Sequence, residues 1–280
     1  MDRPPRIPLP AINTGFGHGA FDRAQPEVEF YFDIVCPYAY LASRLLPPLC
    51  ERMGARIDHR PILLGGVLKA LGSEPMAGAP TRKAMIFVDL ARWSEYLGIP
   101  LSVPAEHPRR TVDAMRLLCW APRVRRPALM DALYRAYWVD GRDIADRDVL
   151  VDLAHEVGLD REAALRGIGS PEIAADLRRR TDEAVALGVF GVPTFVVEGQ
   201  HGPRLFFGQD RLQFVEDALR HHPLSAPPAA PARPAAHAPE PPIANEAHRV
   251  VFFYDFSSPY TYLASTQIET LTARCKAIVE

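Results

Sequence analysis

Apolar positions in this chain follow two periods, and the switches between them mark out its elements. Residues 28–34 (VEFYFDI) are a short aromatic and aliphatic run of strand type, followed over 38–53 by apolar residues at helical spacing (Leu41, Leu45, Leu49). The helix stops near Gly54, and 57–64 reads as a second strand. Helical spacing then dominates: Ile86, Leu90, Trp93 and Leu97 mark one face of a helix after Pro80 and Thr81, and similar patterns run near 110–120, 127–138 and 147–157. Ser170 with Pro171 behind it has the form of an N-cap and first helical residue, opening a helix to about Leu187. A turn at 191–193 leads into a β-branched strand, a short strand follows at 204–207, and a last helix covers 210–220. Strands at both ends with helices between them predict one α/β sheet interrupted by a helical insertion at about 66–170.

Outside this region the periods vanish. Residues 1–27 are rich in Pro, Gly and Ala and read as a loose arm, and 222–248 is a Pro/Ala tract expected to act as a semi-rigid linker. The folded domain is therefore expected at 28–221. At 250–265 the pattern of 28–43 begins again, with nine identities in sixteen ungapped positions. Residues 249–280 are accordingly expected to be the truncated start of a second copy, one strand and most of one helix, without partner strands and too short for a core of its own.

With 280 residues, 48% of them hydrophobic and 24% charged, the chain is of ordinary globular composition. A net charge of −2 gives no basic excess for nucleic acid, and no apolar run reaches the roughly 18 residues of a membrane span. Neither partner is expected, and a cytoplasmic location is the default. The cysteines Cys36, Cys50, Cys119 and Cys275 include no C-x-x-C pair, and His107, His155, His221 and His222 have no ligand spacing, so no metal site is expected. Arg178, Arg179 and Arg180 read as a solvated helix face, and no glycine-rich phosphate loop follows a strand.

The candidate chemistry centres on 33–40 (DIVCPYAY). A strand end followed by Cys-Pro puts the Cys36 sulfur at a helix N-cap, where free N–H groups and the helix dipole favour a thiolate; its pKa is expected below the free value of about 8.5. Position alone leaves it equally a small buried apolar residue. Pro193 sits where a chain turns into a strand, a common place for a cis bond; in a thioredoxin-type sheet this step lies beside the helix bearing the reactive residue. The backbone of Val192 would then be free to pair with an extended peptide.

These stretches, together with 60–66 (RPILLGG), Lys69, 89–93, 97–100 (LGIP), 191–195 (GVPTF) and 207–212 (FGQDRL), resemble the 2-hydroxychromene-2-carboxylate isomerases across roughly 28–220. That family is related to the kappa-class glutathione transferases and the DsbA oxidoreductases. The resemblance implies an α/β, thioredoxin-like fold with an inserted all-helical domain, and glutathione as cofactor. It implies that Cys36 stands where the family has a serine that contacts the glutathione sulfur, that Val192 and Pro193 present the backbone that pairs with the cysteinyl unit, and that Gln209, Asp210 and Arg211 form the turn binding the γ-glutamyl end. Lys69, Ser73 and Tyr38 would face a small-molecule substrate, and a homodimer is compatible with the family.

Two departures stand out. Gly72-Ser73 replaces the family's Gly-Asn, and cysteine replaces serine at 36, whereas the second copy keeps Ser258. Ala39 occupies the position of the resolving cysteine of a Cys-Pro-x-Cys motif, so a two-cysteine redox cycle is not expected. The reading is a glutathione-dependent isomerase acting by reversible thiolate addition to an aromatic or conjugated carboxylate. The alternatives are a monothiol oxidoreductase or glutathione transferase using Cys36, and a non-catalytic binding module.

Overall fold

The structure, a computed structural model, describes residues 25–75, 78, 80–199, 202–222, 224, 248–275 and 277–279. The proposed N-terminal arm and Pro/Ala linker lie almost wholly outside the described residues. The chain divides into two compact units, Met1–Pro228 and Ala229–Glu280.

In the first unit, strand β1 (Glu27–Phe32) is followed by helix α1 (Pro37–Arg52) and strand β2 (Arg56–Pro61). Seven helices come next: α2 (Leu64–Ala70), α3 (Pro80–Leu97), α4 (Val112–Trp120), α5 (Arg126–Trp138), α6 (Arg147–Glu156), α7 (Arg161–Gly169) and α8 (Pro171–Leu187). Strands β3 (Thr194–Gly199) and β4 (Gly202–Phe207), a 3-10 turn (Gln209–Arg211) and helix α9 (Leu212–Arg220) complete it. The sheet order is β2-β1-β3-β4, with β1 and β2 parallel and the other neighbours antiparallel.

Alternation along β1 sorts its side chains onto two faces. Val28, Phe30 and Phe32 are fully buried, and Phe30 stacks at 5.5 Å on Phe195, its register partner on β3. On the other face Glu29 pairs with Arg60 at 2.7 Å, and Asp58 forms ion pairs with Arg60 at 2.6 Å and Arg123 at 2.5 Å. Two buried rings of α5, Tyr134 and Trp138, hydrogen-bond the segment just after β1 and so bind the helical region to the sheet.

The second predicted strand ends three residues early. Pro61 closes β2; Ile62 N–H still donates to Phe32 O of β1, and the next two amides leave the ladder, Leu63 N–H donating to Thr181 Oγ1 and Leu64 N–H to Asp33 Oδ2. Helix α7 has no counterpart in the periodic reading. It is capped by Asp160, whose carboxylate accepts from Ala163 N–H at 2.7 Å, and its Gly167 lies flat on the Trp120 ring, where a Cβ would come within 2.4 Å of Cγ.

The second unit comprises β5 (His248–Val250), α10 (Pro259–Arg274) and β6 (Ala277–Val279). The expectation of a strand without partners is corrected here: β6 pairs with β5 in parallel, with Val250 opposite Val279. The same interval separates Val28 from Ile57, so the unit repeats the register of β1-α1-β2. Its Phe253 and Phe256 are 88% and 97% exposed.

Candidate functional site

Helix α1 begins where its sequence places Pro at N1, and Cys36 occupies the N-cap with extended backbone (φ −91°, ψ 116°). The loop that delivers it is tied down by three bonds. Cys36 N–H donates to Asp33 O at 3.1 Å, Trp138 Nε1–H to Ile34 O at 2.9 Å and the Tyr134 hydroxyl to Asp33 O at 3.4 Å. The residue is only 8% exposed, and its thiol donates to the carbonyl of Val192 at 3.2 Å.

That burial decides its ionisation. Desolvation pushes the Cys36 thiol up to about 12, against the downward pull of the Ala39 and Tyr38 amides, and the Asp33 charge adds to the rise. The expected lowered pKa is therefore corrected: the helix N-terminus acts in the predicted direction, and loss of water outweighs it. Cys36 is a protonated hydrogen-bond donor.

The Val192–Pro193 peptide is cis. The Val192 carbonyl, expected free, already receives the Cys36 thiol, with a second lone pair remaining for another donor. Pro193 O accepts from Gly208 N–H at 3.0 Å, which fastens this step to the turn holding Gln209, Asp210 and Arg211. Gly208 is at φ 106°, and a Cβ there would meet the Asp210 carboxylate, so the turn requires glycine. Gln209 is buried, while the half-exposed Asp210 carboxylate is held at 2.7 Å by the neighbouring Arg211 guanidinium. The turn does not open the last α-helix as predicted; α9 starts at Leu212, one residue beyond it.

Tyr38, in the first turn of α1, donates its hydroxyl to Asp89 Oδ2 at 2.8 Å. Burial raises its pKa, with the Asp89 hydrogen bond and charge next and the Asp210 charge adding to the rise. Cys36, Tyr38, Val192, Pro193 and Asp210 thus gather around the N-terminus of α1. Lys69, in the last turn of α2, and Ser73 are exposed; among the described residues neither side chain is hydrogen-bonded to this group. Sequence reasoning passed over Asp89 as a functional side chain, although it begins one of the family-like stretches. Its signal was a carboxylate directly before the buried Leu90 in an amphipathic helix.

Among the described residues no three His, Cys, Asp or Glu side chains cluster as a metal site, and no helix is long and apolar enough to cross a membrane.

Residues 27–220 match the family described as the DSBA-like thioredoxin domain. The 2-hydroxychromene-2-carboxylate isomerase of Sphingobium xenophagum is 33% identical over 195 residues, covering 69% of this chain and 97% of that protein. This chain belongs to the DSBA-like thioredoxin family, with the 2-hydroxychromene-2-carboxylate isomerases and kappa-class glutathione transferases. Glutathione S-transferase kappa 1 of Rattus norvegicus is 27% identical over 200 residues, covering 67% of this chain and 88% of its own. A solved 2-hydroxychromene-2-carboxylate isomerase superposes with a TM-score of 0.63 at 27% identity, covering 69% of this chain and 94% of that one. Fold and family agree with the expectation drawn from the motifs.

Proposed function

We propose that this enzyme is a glutathione-dependent isomerase of the 2-hydroxychromene-2-carboxylate type. The cysteinyl backbone of glutathione pairs with Val192 before Pro193, and Asp210 takes the γ-glutamyl ammonium in place of Arg211, with Gln209 and Arg211 completing the turn. The ligand sulfur then lies at the N-terminus of α1, where N–H groups and the helix dipole stabilise a thiolate. That thiolate adds to a conjugated carboxylate, forming a C–S bond as the ring opens. Rotation about the freed single bond and elimination of the thiolate give the isomer, so glutathione is regenerated and no electrons are exchanged. Lys69 meets the substrate carboxylate, and Ser73 and Tyr38 line its approach.

The observation that carries this reading is the buried Cys36 side chain at the N-cap of α1, whose thiol donates to the Val192 carbonyl. A neutral S–H that turns from the Val192 carbonyl can donate to a ligand sulfur as the family's serine hydroxyl would, whereas disulfide exchange needs a thiolate at this position. Ala39 supplies no resolving thiol, and Cys50 and Cys119 are themselves buried, with pKa values raised by desolvation to about 12 and about 11. The test is Cys36→Ser assayed with glutathione and 2-hydroxychromene-2-carboxylate. Turnover within a few-fold of the parent is expected; loss of all activity together with loss of glutathione-disulfide exchange would favour the monothiol oxidoreductase.

A further inference from the structure

Asp33 stands three residues before Cys36, and the chemistry above makes no use of its side chain. It is 1% exposed, and burial raises its pKa against the hydrogen bonds it accepts. Its two oxygens serve different elements. Oδ1 accepts from Val35 N–H at 3.2 Å, within the loop that delivers Cys36, and Oδ2 accepts from Leu64 N–H at 2.9 Å, at the first residue of α2. Leu63, the N-cap residue of α2, has no side chain able to cap it, so a carboxylate from another element satisfies that orphan amide. The buried Thr111, just before α4, also favours the charged form of this carboxylate. Helix α2 carries Lys69 in its last turn and leads into Ser73.

We infer that Asp33 is a positioning residue: its carboxylate locks the loop bearing Cys36 to the helix bearing Lys69, so that a sulfur nucleophile and a substrate carboxylate are presented in one fixed geometry. This rests on the glutathione reading for its chemical consequence, though not for the lock itself. Addition reactions are sensitive to small misplacements of the reacting atoms, so loosening the lock costs rate. The Val192–Pro193 step touches the Cys36 loop only through the Cys36 thiol, and its main tie is the Pro193–Gly208 bond to the turn at 209–211, which Arg211 braces, so most of the grip on glutathione lies outside the lock.

The test is Asp33→Asn in the full chain, where an amide N–H₂ must oppose one of the two backbone donors. Glutathione affinity measured by calorimetry is expected to stay within about twofold, while kcat for 2-hydroxychromene-2-carboxylate falls roughly tenfold or more. Thr111→Val, which removes the buried hydroxyl favouring the charged form of the same carboxylate without altering the loop or α2, should shift kcat in the same direction by roughly threefold. It decides the matter if the first variant does not fold. Hydrogen exchange across 62–70 should accelerate in both variants whether or not the protein has isomerase activity.

A parent protein inert toward glutathione and chromene would sink the proposed function and leave the exchange measurement to judge the lock. Unchanged kcat and exchange in a folded variant would overturn the inference. So would a parallel fall of affinity, turnover and thermal midpoint, which is the signature of general destabilisation.

Discussion

A thiol at the start of a helix is pulled two ways, by amides that favour its anion and by the loss of water that penalises it. At Cys36 the second dominates, and the consequence can be measured. With its pKa raised by burial, very little of the Cys36 thiol is ionised at pH 8. Iodoacetamide at that pH is expected to label the exposed Cys275 first and Cys36 at least a hundredfold more slowly, read by peptide mass spectrometry. Equal labelling rates would show a reactive thiolate at Cys36 and remove the support for its role as a donor. The sequence made the position of Cys36 legible, because Cys-Pro after a strand end is a local signal. The ionisation was not legible. It depends on side chains such as Tyr134, about a hundred residues away, which close over the loop only once the chain has folded.

Elements with local punctuation were readable, and those held by distant contacts were not. Helix α8 starts where Ser170 and Pro171 predict, with the Ser170 hydroxyl accepting from Ile173 N–H at 3.2 Å. The end of β2 was misplaced because the amides of Leu63 and Leu64 are claimed by Thr181 and Asp33, partners far along the chain. Helix α7 was missed because its contact with α4 is made through Gly167, and glycine adds nothing to an apolar period. That contact has a testable cost. Gly167→Ala would gain some helix propensity, but its methyl would enter the Trp120 ring, so the ring or α7 must move. A net loss of about 1–3 kcal/mol in urea unfolding is expected. A stabilised variant would mean that Trp120 repacks freely. In a double-mutant cycle, Gly167→Ala should cost less in a Trp120→Ala background than in the parent, because the obstacle is gone.

Over the whole molecule, protons taken up or lost on unfolding set the pH range of stability. Burial lowers His59 from 6.5 to about 4, with Arg126 adding to the effect and Asp58 opposing it; its ring lies edge-on to Phe30 and Phe32. Between those two values the unfolded chain binds a proton that the folded chain does not, so stability rises with pH there and is lost as the solution is acidified. The buried thiols act at the other end. Cys36, Cys50 and Cys119 are raised from 9.0 to about 12, 12 and 11, so the stability from keeping them neutral is complete below pH 9 and drains away as pH climbs through the folded values. A stability plateau between about pH 6.5 and 9 is therefore expected in urea midpoints. Asp33, Glu27 and Asp131 are raised by burial while Asp143 and Asp176 are lowered by their arginines, so carboxylates contribute to the acid limb in both directions. His59→Leu separates the histidine from them: the gap between parent and variant should change by about 3 kcal/mol from pH 6.5 to 4, the parent losing more. A gap that stays constant over that interval would mean that His59 is hydrated and titrates normally. The face of β2 that packs against α4 and α8 would then be open to water.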